Sequence, residues 1–124
     1  MVSEIAKAAK VPFLIVEKQR LGDTKVKSTI PKIEAYKDHT PVLVDDIIST
    51  AMTMIETVNH LKSLGIKKIY CVGVHALFAK NAYQDLLATE VTDIVSCNTI
   101  EHQSNKIDLS NIIIEALIQR THIE

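Results

Sequence analysis

Two adjacent carboxylates, Asp45 and Asp46, are followed by a segment of small and hydroxyl-bearing residues that runs from Ser49 to Thr53. A helical pattern begins within this segment and continues after it. Hydroxyl groups and the unpaired N–H groups of a helix start can surround a phosphate. Carboxylates beside such a loop can accept hydrogen bonds from sugar hydroxyls or ligate magnesium. This order predicts a site for a sugar phosphate, a magnesium ion, or both, unless Ser49 or Thr50 merely caps the helix.

Two cationic side chains, Lys18 and Arg20, lie one residue apart in the charged segment 17–23. We predict that this segment is a loop that follows a strand. Cations placed over a phosphoryl group stabilise the negative charge that develops during its transfer. The pair therefore suits phosphoryl-transfer chemistry, although a charge cluster on an exposed loop is also typical of a solvated surface.

Three further polar residues stand where predicted strands end. His75 closes one apolar run, and Asn98 and Thr99 follow another. Loops at the carboxyl ends of strands are where open α/β sheets bind ligands. His75 is either a structural hydrogen-bonding residue or a ligand contact. Asn98 and Thr99 either contact a ligand or belong to a polar loop.

Alternating apolar runs and helical patterns must position these residues. The predicted strands cover residues 11–16, 41–44, 68–74 and 93–97. The predicted helices cover residues 4–10, 50–64, 79–88 and 108–120. Ser3 is a plausible cap for the first helix, and segment 24–29 is either a hairpin partner or an edge strand. Apolar strands that alternate with helices indicate an α/β fold, with a mostly parallel sheet flanked by helices.

The composition narrows the classes of function. The chain has 124 residues, a net charge of −1 and 47% hydrophobic residues, which suits one globular domain and argues against nucleic acid as a partner. No apolar run reaches the roughly 18 residues of a membrane span, and no signal-peptide pattern is seen, so we expect no membrane partner. Cys71 and Cys97 match no zinc spacing and are expected to be buried free thiols in a cytoplasmic protein.

Segment 42–54 resembles the ribose 5-phosphate loop of ribose-phosphate diphosphokinases, the phosphoribosyl pyrophosphate (PRPP) synthetases. Its pattern is Asp-Asp, two hydrophobic residues, any residue, Thr, two residues and Thr. Type I phosphoribosyltransferases share this loop and the fold. Segments 13–20, 74–82, 98–100 and 104–110 resemble the synthetases specifically, so the resemblance runs in order over about residues 11–117. The chain is similar to the C-terminal phosphoribosyltransferase-like domain of a synthetase, as a single partial domain over 1–124 that lacks its first strand.

The resemblance implies transfer of the β,γ-diphosphoryl group of ATP to the C1 hydroxyl of ribose 5-phosphate, which yields PRPP and AMP. Mg2+ would be required, with its main ligands outside this chain and no metal ligand assigned within it. Lys18 and Arg20 would be catalytic, and Arg20 would also contact the substrate phosphates. Asp45 and Asp46 would bind the ribose hydroxyls. The 5-phosphate would be held by Ser49, Thr50, Ala51, Met52 and Thr53.

The chain departs from the family pattern in two ways, and each departure leads to an expectation. Met52 stands where the family loop usually has glycine, and its side chain is expected to crowd the phosphate or force the loop open. Ser49 stands where many members have aspartate. The chain also corresponds to less than half of a synthetase, so we expect it to make no PRPP alone. We expect it to form a homo-oligomer or to associate with a full-length synthetase.

Two alternatives to a synthetase half remain open from the sequence. One is a catalytically inactive PRPP synthetase-like protein that regulates or binds a full-length enzyme. The other is a type I phosphoribosyltransferase, which would need a base-binding hood.

Overall fold

A parallel sheet of four strands forms the centre of the computed structural model, which describes residues 1–20, 22 and 26–121, without the side chains of Arg20, Val26 and Thr121. Its strands lie side by side in chain order: β3 Val42–Ile48, β4 Tyr70–Ala76, β5 Asp93–Cys97 and β6 Asn105–Ile107. A separate antiparallel hairpin pairs β1 Glu17–Arg20 with β2 Val26–Thr29. The predicted α/β class with a mostly parallel sheet is therefore confirmed.

Four α-helices accompany the strands: α1 Val2–Ala9, α2 Met52–Ser63, α3 Ala82–Ala88 and α4 Ser110–Thr121. A short 3-10 helix, Ile33–Tyr36, lies between the hairpin and β3. Helices α2 and α3 connect successive parallel strands, as such connections require. Within the described residues, none of the helices combines the length and apolar character that a membrane crossing needs.

Helix α2 supplies much of the core because its apolar residues recur at helical spacing. Met54, Val58 and Leu61 are buried, as the periodicity predicts. Thr57 is buried beside them, and its hydroxyl donates to the Thr53 carbonyl at 2.7 Å, so its polar group is satisfied. The helix packs against both β2 and α3. Gly65, with φ at 88°, ends the turn after the helix, where glycine is favoured.

The core of the sheet consists of apolar side chains from consecutive strands. Ile69 and Cys71 are fully buried beside Leu86 of α3 and Ile94 of β5. Cys71 and Cys97 are both buried free thiols, as expected, and burial raises the pKa of Cys71 to about 12. A thiol with such a pKa stays protonated at neutral pH and is a poor nucleophile.

Strand β6 follows β5 after only a short loop, although parallel neighbours usually need a long crossover. A side-chain network holds this connection: Ser96 Oγ lies 2.7 Å from Ser104 Oγ, and Asn105 Nδ2 donates to Ser96 Oγ at 2.8 Å. His102 adds a 2.8 Å contact from its Nδ1 to Ser104 Oγ. The sequence pattern did not indicate β6 because the strand has only three residues, of which two are polar.

Two predictions at the N-terminal end were wrong. Ser3 lies inside α1 rather than at its cap, which is Met1 without a side-chain cap bond. Residues 11–16 form no strand, and Phe13 and Ile15 are exposed whereas Leu14 and Val16 pack on the core. Only one side of this extended segment is buried, so it was wrong to interpret its apolar run as a buried strand.

Other boundaries moved as well. Strand β3 continues through Asp45 and Asp46 to Ile48 and does not end at residue 44. Helices α2 and α3 begin later than predicted, at Met52 and Ala82. Segment 24–29 was correctly considered as a hairpin partner, although residues 24–25 lie outside the described part of the chain.

Candidate functional site

A cavity of about 180 Å³ opens where β3 meets the start of α2. Its lining includes the end of β3, the connecting loop and the first turn of the helix. One residue comes from the hairpin, Lys18. The complete lining is Lys18, Asp45, Ile47, Ile48, Ser49, Thr50, Ala51, Met52, Thr53 and Met54. The structure thus brings together most of the residues singled out from the sequence, from two segments far apart along the chain.

The first turn of α2 directs unpaired donors toward this cavity. The first hydrogen bond of the helix joins the Ile55 N–H to the Ala51 carbonyl at 2.8 Å. The N–H groups of Met52, Thr53 and Met54 therefore have no partner within the helix. Such groups, together with the positive end of the helix dipole, favour an anion.

The hydroxyl groups of the loop are also available. Ala51 is the cap residue of α2 and makes no side-chain cap bond, so neither Ser49 nor Thr50 caps the helix. Among the described residues, none hydrogen-bonds to the hydroxyl of Ser49, Thr50 or Thr53. The alternative in which these hydroxyls only satisfy the first helical turn does not describe this structure.

The left-handed backbone conformation of the loop lies at Ala51 and not at Met52, the position where the family usually has glycine. Ala51 has a left-handed conformation, φ 61° and ψ 13°, which is uncommon for a residue with a side chain. Met52 is the first residue of the helix and has no positive φ. The Met52 side chain lines the cavity and is 40% exposed, so any crowding comes from its side chain and not from its backbone.

Lys18 and Arg20 lie in β1, not in a loop as predicted. Strand pairing places Lys18 opposite Ser28 and Arg20 opposite Val26. The Lys18 side chain faces the cavity. The Arg20 side chain lies outside the described part of the structure, so its expected role stays a prediction.

Asp45 and Asp46 form a coupled acidic pair at the end of β3. Each carboxylate accepts a hydrogen bond from the next backbone N–H at 2.8 Å, Asp45 from Asp46 and Asp46 from Ile47. Partial removal from water raises the pKa of Asp45, and hydrogen bonding to Asp46 adds to this rise. The same side-chain hydrogen bond lowers the pKa of Asp46. Because the two carboxyls interact, their two protonation steps belong to the pair and not to either residue alone.

Two backbone hydrogen bonds fix the start of the loop. The N–H of Phe78 donates to the Ile48 carbonyl at 2.8 Å, and the N–H of Ala79 donates to the Ser49 carbonyl at 2.9 Å. The segment after β4 therefore holds the loop after β3. Sequence patterns could not show this contact, because it depends on backbone groups and not on residue types.

Magnesium is the metal that the family resemblance implies. Asp45 and Asp46 supply oxygen ligands of the kind that Mg2+ prefers, and Mg2+ is commonly held by one or two carboxylates together with substrate phosphates. Within the described residues, no cluster of three or more His, Cys, Asp or Glu side chains could hold a metal ion. The two carboxylates therefore fit a shared site, completed by phosphate oxygens, better than a site formed by protein alone.

Comparison with known protein families identifies the class of protein to which the chain belongs. The family model described as the phosphoribosyl transferase domain matches residues 1–110. The chain belongs to this family.

More specific relatives are ribose-phosphate pyrophosphokinases, another name for the PRPP synthetases. The enzyme of Deinococcus radiodurans is 34% identical over 106 residues, which is 86% of this chain and 33% of that protein. The enzyme of Methanopyrus kandleri is 32% identical over 117 residues, 94% of this chain and 40% of that protein. The resemblance stated from the sequence is thereby confirmed, and the chain spans well under half the length of these relatives.

A solved structure supports the fold. The phosphoribosylpyrophosphate synthetase from Mycobacterium smegmatis superposes with a TM-score of 0.73 at 18% identity. The match covers 97% of this chain and 40% of that structure. At this identity the likeness establishes the phosphoribosyltransferase-like fold alone.

Proposed function

We propose that this chain is the ribose 5-phosphate-binding domain of a ribose-phosphate diphosphokinase. The observation that carries the proposal is the cavity that unites Lys18, Asp45 and the first turn of α2. In this arrangement the loop hydroxyls and the free N–H groups of α2 bind the 5-phosphate. The carboxylates of Asp45 and Asp46 accept hydrogen bonds from the sugar hydroxyls.

The proposed reaction is diphosphoryl transfer from ATP to the C1 hydroxyl of the sugar, with PRPP and AMP as products. Lys18 supports it by placing a cation over the cavity, where phosphoryl oxygens gain negative charge. Arg20, two residues further along β1, is proposed to act with it. If Mg2+ binds here, Asp45 and Asp46 would help to hold it, and it would neutralise charge on the transferring group. The sugar is held by this chain, whereas an ATP site is not proposed on the described residues.

Isothermal titration calorimetry tests the proposal with three ligands: ribose 5-phosphate, PRPP and ATP. We expect both sugar phosphates to bind and ATP not to bind. Lys18→Ala should weaken sugar-phosphate binding, and Lys27→Ala, on the neighbouring strand and outside the cavity lining, should leave it unchanged. A chain that binds neither sugar phosphate would contradict the proposal.

A second candidate is a sugar-phosphate-binding subunit that regulates a full-length synthetase without catalysing the reaction itself. Met52 favours this candidate because it lines the cavity at a position where family members usually have glycine. Under this candidate a coupled assay with ATP, Mg2+ and ribose 5-phosphate shows no turnover by the chain alone. Light scattering after size-exclusion chromatography should then show a complex with a full-length synthetase. A clean monomer that does not bind the synthetase would contradict the second candidate.

A further inference from the structure

His75 lies one strand away from the acidic pair, at the end of β4. The parallel register places His75 beside Ile47, the residue that follows Asp46. The imidazole therefore faces the same end of the sheet as the carboxylates.

Thr99, in the loop after β5, contacts the His75 ring and favours one orientation of its nitrogens. Thr99 Oγ1 lies 2.7 Å from His75 Nδ1 and 3.3 Å from the Val74 carbonyl oxygen. The hydroxyl has a single proton, and its donation to the Val74 carbonyl leaves its oxygen to accept from His75 Nδ1–H. A neutral imidazole with its proton on Nδ1 carries a lone pair on Nε2. No described residue hydrogen-bonds to His75 Nε2.

The position of this free acceptor suits a ligand that extends from the phosphate loop. Adjacent strands lie about 4.8 Å apart and each residue advances about 3.3 Å, so the His75 backbone is on the order of 8 Å from that of Ser49. A five-carbon sugar phosphate can bridge that distance. Asp46 and His75 Nε2 are both acceptors, so together they select a ligand that offers hydroxyl donors.

We propose that His75, oriented by Thr99, accepts a hydrogen bond from a secondary hydroxyl of the sugar and so contributes to substrate specificity. This inference rests on the proposed function, since the phosphate of the same ligand would occupy the loop at Ser49 to Thr53. The contacting atom of His75 is Nε2. Thr99 is a positioning residue that does not itself contact the sugar.

Two substitutions of His75 separate this role from a structural one. The amide of His75→Asn can replace Nδ1–H toward Thr99 but leaves nothing at the Nε2 position. The longer amide of His75→Gln reaches the Nε2 position. Calorimetry with ribose 5-phosphate and with its 2-deoxy and 3-deoxy analogues should show that the unmodified chain discriminates against at least one analogue. His75→Asn should weaken ribose 5-phosphate binding by roughly fivefold to tenfold, the worth of one hydrogen bond, and abolish that discrimination.

Controls identify which proposal fails. Inorganic phosphate, which probes the loop alone, should bind His75→Asn and the unmodified chain equally. His75→Gln should recover part of the lost affinity, and His60→Asn, near the far end of α2, should change nothing. In nitrogen-15 spectra the His75 Nε2 resonance should move when ribose 5-phosphate is added. Ribose 5-phosphate binding that His75→Asn leaves intact would overturn this inference alone. Failure of the unmodified chain to bind ribose 5-phosphate would overturn the proposed function and this inference with it.

Discussion

Lys18 and Asp45 line the same cavity although they belong to different sheets. Lys18 is in the antiparallel hairpin, and Asp45 is in the first strand of the parallel sheet. Helix α2 joins the two parts, because it packs against β2 while its first turn forms the cavity wall. The site therefore depends on how the hairpin docks and not only on the acidic loop.

Replacing Lys18 should change the titration of Asp45. Partial removal from water raises the pKa of Asp45, and the charge of Lys18 opposes that rise. Lys18→Met removes the opposing charge, so we expect the pKa of Asp45 to rise further. Because a raised carboxyl pKa in the folded state means that ionised Asp45 destabilises the fold above that pKa, Lys18→Met should lower stability more at neutral than at acidic pH. Carbon-detected NMR of the carboxyl groups measures the shift, and Lys27→Met is the matched control.

The Met52 side chain should limit phosphate binding. Met52→Gly and Met52→Ala both remove the side chain from the cavity, so both should strengthen the binding of inorganic phosphate. Because Met52 has helical backbone angles, glycine should give no greater gain in affinity than alanine. Glycine should instead lower stability by up to about 1 kcal/mol relative to alanine. Calorimetry and thermal unfolding measure the two quantities, and a clear advantage of glycine in affinity would contradict this placement.

Gly73 should not tolerate a side chain. A Cβ added there would lie 2.5 Å from Ile48 Cδ1 and 2.6 Å from Cγ1, and Ile48 is buried. Gly73→Ala should therefore destabilise the chain by about 1–3 kcal/mol, as overpacked cores do. Urea unfolding of Gly73→Ala, Ile48→Ala and the double variant checks this, because the cost of Gly73→Ala should largely vanish in the Ile48→Ala background. Equal costs in both backgrounds would show that the clash is not the cause.

Glu90→Gly should stabilise the chain. Glu90 follows α3 with φ at 64°, a left-handed conformation that costs a residue with a side chain about 1 kcal/mol. Its side chain is exposed, so glycine relieves this cost without loss of buried surface. Thermal unfolding should show a gain of about 1 kcal/mol. Gln84→Gly, in the interior of α3, is the control and should lose stability.

Acid should weaken the link between β5 and β6. The Lys106 ammonium hydrogen-bonds to Asp93 at 2.6 Å and is the main cause of the lowered pKa of Asp93. A carboxyl whose pKa is lowered by folding contributes stability above its unfolded pKa, near 4, and loses it as the pH falls through the folded value. Asp93→Asn should therefore flatten the loss of stability below about pH 4. Denaturant unfolding across pH measures this, and Lys106→Met should have the same effect.

The sequence specified three of the four parallel strands, because those strands contain apolar runs and the helices between them have a clear period. Asp93–Cys97 matches the predicted strand at both ends. The hairpin was harder: Glu17–Arg20 is polar throughout, and only its pairing with β2 makes it a strand. A strand that depends on hydrogen bonds to its partner is not evident from its own composition.

Most residues of the candidate site were also identified from the sequence. Residues Asp45 to Thr53 and Lys18 were identified from residue types, and the structure gathers most of them at one cavity. The left-handed backbone of Ala51 was not predicted, because alanine rarely adopts it and the family pattern pointed to position 52. The contact between His75 and Thr99 was also beyond the sequence, since it joins the end of β4 to the loop after β5.

Assembly of the cavity from two sheets has a consequence for folding. The hairpin pairs residues close along the chain, whereas the β3–β4 ladder must first close a long loop, and such distant pairing forms slowly. The pocket exists only once both units are native and docked through α2. The ability to bind a ligand should therefore appear only late in folding. A partially opened chain can keep the secondary structure of the sheet after it has lost the pocket.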